Sequence, residues 1–330
     1  MLPSFSAAAL SGRPAWKVGA ATLRAHTELA PWRSLCLIAA LYAAIVVLAG
    51  LAVTSGAWSV ALAAVVLIAA LQHHLLILMH EGAHGLIVRD KALNDWITDL
   101  LCAVPLLLVV RNYRHFHLAH HRNAGDAARD PERALYGAQG FFYKRRPPRE
   151  FLRGLLLDLA GVNFVRMVLR FQRFLAQEHR ARRNPWLVPS DVVKYVLVWG
   201  CAGALAVHFD VVAELLVFWF LPMGTVLFLL GKLHGYGEHT GQAGPSEFER
   251  SIVHDFDPVT NFFFYPIKSG FHLEHHLYPA VPWYRMESLR RHLTAGAAYR
   301  AAARGVTLDG YFVGDRTVLR TLLVSREQNR

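Results

Sequence analysis

The chain has 330 residues, and its 35 Lys and Arg outnumber its 24 Asp and Glu, which gives a formal charge of +11. Hydrophobic residues make up 54% of the chain and charged residues only 18%, which argues against a basic soluble nucleic-acid-binding protein and against a disordered chain. The 3 cysteines, Cys36, Cys102 and Cys201, are odd in number and far apart, which excludes a disulfide scaffold. We therefore expect a membrane protein whose positive charge is concentrated in particular segments.

Four apolar stretches are long enough to cross a bilayer. They are residues 35–53, 58–78, 192–207 and 211–230. At 1.5 Å per residue, each stretch covers roughly 25–30 Å, which is about the hydrocarbon thickness of a membrane. Very short links join the first stretch to the second and the third to the fourth. The sequence therefore predicts an all-α integral membrane protein with four transmembrane helices arranged as two hairpins.

The distribution of charge predicts the orientation of these helices. Neither short link, at residues 54–57 and 208–210, contains a Lys or an Arg. The positive-inside rule then places both termini and a helical cytosolic cap, formed by residues 80–190 and 232–330, in the cytoplasm. We expect one membrane domain over residues 1–330, in a bacterial inner membrane, and no nucleic-acid partner.

Two further segments of the predicted cap carry a structural signal. Residues 97–110 are apolar but too short for a span and contain Pro105, so we expect them to dip into the membrane or to line a site. Residues 151–183 place arginines on one helical face and apolar side chains on another, which predicts interfacial helices.

Eight of the 18 histidines fall into three clusters with helical spacing. The clusters are His80-Glu-Gly-Ala-His84, His117-Leu-Ala-His120-His121 and His272-Leu-Glu-His275-His276. Residues at positions i, i+3 and i+4 share one face of a helix, so each cluster can aim two or three imidazoles at one point. Eight nitrogen ligands are too many for one tetrahedral zinc, which indicates a site for two metal ions. Imidazole binds zinc, copper, iron and nickel alike, so the ligands do not identify the metal.

Two other readings of the clusters remain open. His80, Glu81 and His84 fit the HExxH pattern of zinc metalloproteases, but such a site would leave six clustered histidines unexplained. A membrane protein that binds metal or lipid without catalysis is the other alternative, and metal analysis combined with a turnover assay separates it from an enzyme.

The clusters and their surroundings resemble the three histidine boxes of the membrane fatty acid desaturase superfamily. The likeness is carried by residues 116–122 (FHLAHHR), by Asp130-Pro131 downstream of them, and by residues 271–279 (FHLEHHLYP). It runs from about His73 to Leu289. The resemblance implies a non-haem di-iron centre with two iron ions, O2 as the oxidant, and electrons from a separate donor such as ferredoxin, rubredoxin or cytochrome b5 with its reductase.

The resemblance also implies a set of metal ligands. They are His80, His84, His117, His120, His121, His239, His272, His275 and His276. His239 is included because the family usually has a further histidine between the fourth span and the third box, and His234 is a weaker candidate for that place. Some animal stearoyl desaturases also have an asparagine near the metal at the position of Gly235, so the shell of the second iron departs from theirs here.

We therefore expect an O2-dependent di-iron desaturase that introduces a C=C bond into an alkyl chain of an acyl-lipid, an acyl-CoA or an acyl carrier. A membrane di-iron hydroxylase or monooxygenase, or a carotenoid ketolase-type oxygenase, is the alternative within the same superfamily. Carboxylates near the boxes are expected to orient the imidazoles. They are Glu81, Glu238, Glu274, Asp126 and Asp130, of which Asp126 is the weakest candidate.

Overall fold

The computed structural model describes residues 16–126, 128–132, 146–182, 188–239 and 246–323, with the backbone alone for 174–182. Residues 133–145, 183–187 and 240–245 of the predicted cap lie outside the described residues, as do both ends of the chain. The described part consists of helices and connecting segments, with three isolated β-bridges and no β-strand. The prediction of an all-α protein is confirmed.

Four helices are long and apolar enough to cross a membrane, at the predicted places in the chain. The short helix α1 (Ala20–His26) precedes α2 (Pro31–Ser55), which forms the first hairpin with α3 (Trp58–Ala83). The second hairpin consists of α8 (Pro189–His208) and α9 (Val212–His239). Gly56 turns the chain between α2 and α3 with a φ of 62°, a conformation that glycine adopts at little cost.

Helix α3 lies at the centre of the bundle. It packs against α2, α9 and the segment that follows α3, and more than half of its apolar stretch is buried. Buried alanines such as Ala64, Ala69 and Ala70 let the neighbouring helices approach closely. Both α3 and α9 extend beyond their apolar stretches, to Ala83 and His239, so they carry histidines out of the bundle toward the site.

The short apolar segment between the two hairpins is bent and packs into the interior of the protein. Helix α4 (Lys91–Thr98) continues through a π-turn and a 3₁₀ turn to Leu106, and α5 (Val110–Asn123) then starts at an angle of 91° to it. Leu107 takes a positive φ of 61° at this corner. Asp99 holds the corner, because its carboxylate accepts hydrogen bonds from Val110 N at 2.7 Å and from Lys194 Nζ at 2.6 Å.

The remaining helices surround the histidine-bearing ends of α3 and α9. Two of them, α6 (Pro148–Leu159) and α7 (Val162–Arg182), cover the segment predicted to form interfacial helices and expose apolar side chains such as Leu156 and Leu169. The others are α10 (Glu247–Arg250), α11 (Pro258–Phe264), α12 (His272–Leu277), α13 (Trp283–Ala295), α14 (Ala297–Ala303) and α15 (Val318–Leu322).

Candidate metal centre

Four helices deliver the histidines to one place. Helix α3 carries His80, and His84 follows directly after its last residue. Helix α5 carries the second cluster, α12 carries the third, and α9 ends at His239. All nine histidines of the expected ligand set lie in two neighbouring groups, and in each group the ligating nitrogens are within 4.8 Å of one another.

The first group has five histidines and the second has four. Group one consists of His80, His84, His117, His121 and His275. Group two consists of His120, His239, His272 and His276. The arrangement therefore offers two separate centres of converging imidazoles, and the group that includes His239 has one ligand fewer than the other.

Helix geometry explains why the second and third clusters are each divided between the groups. Positions i and i+4 lie about 40° apart around a helix axis, whereas i+3 lies on the other side of position i. On α5, His117 and His121 therefore enter group one, while His120 enters group two. On α12 the pair four residues apart enters group two, and His275 enters group one.

The inner nitrogens are close enough to share a cation. In group one, the Nε2 atoms of His117 and His84 are 2.9 Å apart, and those of His275 and His121 are 3.0 Å apart. Neutral imidazoles at this distance present lone pairs to each other unless a proton or a metal ion lies between them. Among the described residues, the buried Nε2 of His276 and Nδ1 of His80 have no hydrogen-bond partner. This donor set fits two metal ions.

The outer nitrogens are held by carboxylates and a backbone carbonyl. Nδ1 of His120 lies 3.0 Å from Asp130, and Nδ1 of His272 lies 3.0 Å from Glu238. Nδ1 of His239 lies 2.8 Å from the carbonyl oxygen of Arg250. These acceptors hold the proton on Nδ1 and leave Nε2 with its lone pair facing inward, as metal-binding histidines require.

Two carboxylates that the sequence analysis missed lie beside outer nitrogens. Glu132 is hydrogen-bonded to Nδ1 of His117 at 3.2 Å, so it has the same function. Glu247 lies 3.3 Å from Nδ1 of His276, within ion-pair distance but without the geometry of a hydrogen bond. Glu132 directly follows Asp130-Pro131, so its position in the second-box region was the available signal. No sequence signal marked Glu247. Burial raises the pKa of Glu132 to about 7, although the charge of nearby His120 opposes the shift.

The other expected orienting carboxylates have different partners. Glu81 lies 3.8 Å from His80 Nδ1 and accepts a hydrogen bond from Trp283 N at 2.9 Å. The buried Glu274 accepts hydrogen bonds from Arg290 and Tyr299. Asp126 is bonded to the backbone and side chain of Arg129. Glu274 and Asp126 therefore do not contact the imidazoles of either group in the interactions described.

Burial favours the neutral, metal-binding form of several of these imidazoles. It lowers the pKa of His84 to about 4 and lowers the pKa values of His275 and His276, where the neighbouring histidines add to the effect. A charged imidazole has no lone pair to offer, so these shifts favour the ligating form at neutral pH. His120 is the exception, because burial is outweighed there by the carboxylates of Glu132 and Asp130, which raise its pKa to about 9.

An apolar cavity of about 650 Å³ leads to both groups. Its wall includes His80 and His275 of group one and His120 and His272 of group two. Apolar side chains from the bent segment, α7 and α9 form much of the rest. They include Leu106, Leu108, Phe164, Met167, Phe171, Leu227 and Phe228. The segment of residues 97–110 thus contributes to the lining of the site, which is one of the two roles expected for it.

Comparison with known proteins agrees with this arrangement. A family model described as Fatty acid desaturase matches residues 55–307, which include all nine histidines and three of the four spanning helices in full. The chain belongs to the fatty acid desaturase family. This desaturase-family chain is also 24% identical over 280 residues to a protein named Dihydrorhizobitoxine desaturase from Bradyrhizobium elkanii, with 81% of this chain and 77% of that protein covered. The resemblance to the desaturase superfamily is confirmed.

Proposed function

We propose that this protein is an O2-dependent di-iron desaturase that introduces a C=C bond into an alkyl chain. The observation that carries the proposal is the apolar cavity, whose wall contains histidines of both groups. A cavity of this volume lies within the range of small-molecule sites and can enclose a chain away from water. The site would therefore present an alkyl C–H bond to the two groups.

In this proposal, the five histidines of group one hold one iron ion and the four of group two hold the other. Bound iron supplies the activation of dioxygen that removal of hydrogen from an unactivated C–H bond requires. The residues of this chain have the other tasks. Glu132, Asp130 and Glu238 fix the orientation of three imidazoles, and the apolar wall aligns the chain and excludes water.

The electrons would come from a separate donor, such as ferredoxin, rubredoxin or cytochrome b5 with its reductase. The substrate would be an acyl-lipid, an acyl-CoA, an acyl-carrier ester or another lipophile that reaches the site from the membrane. We infer from the Lys and Arg distribution that the termini and both histidine groups lie on the cytoplasmic side of the membrane. We further propose that this is a bacterial inner membrane and that residues 1–330 form one membrane domain.

A membrane di-iron hydroxylase or a carotenoid ketolase-type oxygenase is the alternative, because the same centre can return oxygen to the substrate. The Bradyrhizobium elkanii relative is named a desaturase, which favours C=C formation here.

Product analysis tests the proposal. The protein is expressed with a reductase system and supplied with a deuterated acyl substrate under 18O2, and the products are examined by mass spectrometry. We expect an alkene that has lost two deuterium atoms and contains no 18O. A product that contains 18O and no alkene would establish the oxygenase instead.

A variant pair on α5 connects activity to the metal groups. His121→Ala removes a member of group one, and we expect it to abolish activity and reduce iron content. His115→Ala is the matched control, because His115 is exposed on the same helix and belongs to neither group. Full activity of His121→Ala would refute its assignment as a ligand.

A further inference from the structure

Two buried histidines outside both metal groups lie in the wall of the cavity. His73 is on α3 and His234 is on α9, and they are 1% and 6% exposed. Their rings meet edge to face with centroids 5.1 Å apart. Neither belongs to the two groups of converging imidazoles, so the metal centre does not account for them.

Each of these rings uses one nitrogen and leaves the other without a partner. Nδ1 of His73 lies 2.9 Å from the carbonyl oxygen of Phe263, which can only accept, so the proton is on Nδ1 and Nε2 carries a lone pair. Nε2 of His234 lies 2.9 Å from a carboxylate oxygen of Glu238, so Nε2 donates to it and Nδ1 is the nitrogen that remains. Within the described residues, neither His73 Nε2 nor His234 Nδ1 has a hydrogen-bond partner.

Unpaired nitrogens are unfavourable in a buried wall, because they have lost water and gained nothing in exchange. Nε2 of His73 is an acceptor, so the group that satisfies it must be a hydrogen-bond donor. We propose that the cavity binds a substrate with a hydroxyl or amino group, which donates a hydrogen bond to His73 Nε2 and also meets Nδ1 of His234. This inference rests on the proposed function and narrows its substrate class from a plain hydrocarbon chain to a functionalised one.

The position of the two histidines places this polar group near the reacting carbon. Glu238 accepts from His234 Nε2 at 2.9 Å and from Nδ1 of His272, a member of group two, at 3.0 Å. His73 precedes His80 of group one by two helical turns on the same face, about 10 Å along the axis. The donor would therefore lie within about 10 Å of the carbon that faces the metals, where a simple fatty acyl chain has only methylene groups.

His74 provides a matched control on the same helix. It is also buried, and its Nδ1 lies 2.9 Å from the carbonyl oxygen of Ala70, so it makes the same kind of bond as His73. Its ring packs against Phe262, and it is not part of the cavity wall. His73 differs from its neighbour in lining the cavity and in bonding Phe263 of another segment, whereas His74 bonds its own helix.

Binding of two isomeric probes tests the proposal. Decan-1-ol and methyl nonyl ether have the same formula, and only the alcohol can donate a hydrogen bond. Their Kd values are measured by calorimetry on the purified, metal-loaded protein in one detergent, without reductant. We compare the wild type with His73→Asn, which keeps an N–H group for the Phe263 carbonyl but lacks Nε2, and with His74→Asn.

We expect the ratio of the ether Kd to the alcohol Kd to be about tenfold higher in the wild type than in His73→Asn, the effect of one neutral hydrogen bond. His74→Asn should keep the wild-type ratio. The same ratio in all three proteins, or an equal loss in both variants, would overturn the proposal and leave ordered water as the partner of these nitrogens.

If His73→Asn does not fold, His234→Gln gives the same test, because glutamine keeps a donor for Glu238 and lacks Nδ1. The probe measurement involves no turnover, so it fails independently of the proposed function. A preference for the alcohol in a protein that forms no alkene would overturn desaturation and keep the donor site. Alkene formation by a protein that shows no preference for the alcohol would keep desaturation and overturn the donor site.

Discussion

His120 and His239 meet through their Nε2 atoms, 3.1 Å apart, although 119 residues separate them in the chain. The contact joins α5 to the end of α9, and His272 completes it from α12 with its Nε2 2.9 Å from that of His239. Group two is thus assembled from three distant segments. A metal ion held there would tie the second hairpin to the bent segment that follows α3.

Removal of His239 should therefore empty one centre and leave the other. We expect His239→Ala to lower the iron content from about two ions per chain toward one, because group two loses one of its four imidazoles. His234→Gln is the control, since His234 lies outside both groups. Metal analysis of the two purified variants checks this. Loss of iron from His234→Gln with retention in His239→Ala would reverse the assignment.

Glu132 should control metal affinity without being a ligand. Its carboxylate fixes Nδ1 of His117, and partners of this kind typically affect metal affinity by about 10–100-fold. We expect Glu132→Gln to weaken binding in that range and to lower activity in parallel. Asp126→Asn, which alters a half-buried carboxylate of the same region that contacts neither group, should behave as the wild type. Chelator titration measures the affinity, and equal retention of metal in both variants would contradict the assignment.

The buried ion pair between Lys232 and Asp158 should matter for stability. Lys232 Nζ lies 2.7 Å from the carboxylate and joins α9 to α6, and both side chains are buried. Lys232→Met leaves a buried carboxylate without its cation, a change that typically costs about 3–5 kcal/mol. The midpoint of thermal unfolding in detergent measures the effect. Lys91→Met, which removes the exposed partner of Asp95, should leave the midpoint nearly unchanged.

Gly231 should help to set the length of the chain that the cavity accepts. It lines the cavity, and an added Cβ would meet no atom within 4 Å. We expect Gly231→Leu to fold normally and to shift the preferred substrate toward shorter chains, because the new side chain occupies cavity volume. Product profiles over a series of chain lengths check this. Gly203→Leu, where a Cβ likewise meets nothing within 4 Å, is a control outside the cavity wall. An unchanged profile in Gly231→Leu would contradict the role.

The helices and the convergence of the histidines on one site were largely predictable from the sequence. Continuous apolar stretches predicted the two hairpins, and helical spacing predicted that each cluster presents its imidazoles together. The expectation that each cluster aims at one point was wrong for the second and third clusters, which are each divided between the two groups. Glu247 and the pair of Lys232 with Asp158 were not accessible, because their partners come from distant segments. Only the family resemblance favoured His239 over His234 in the sequence, and the fold shows that His239 reaches group two whereas His234 does not.

The sequence by itself determined a basic membrane protein with four spans and three histidine clusters, since composition and helical periodicity are properties of short stretches of chain. Only the tertiary structure decided how the second and third clusters are divided between two groups, which carboxylates hold the imidazoles, and that His73 and His234 face the cavity with unpaired nitrogens. The physical reason is that these relationships depend on where α3, α5, α9 and α12 meet, and packing between distant helices has no local signature in the sequence.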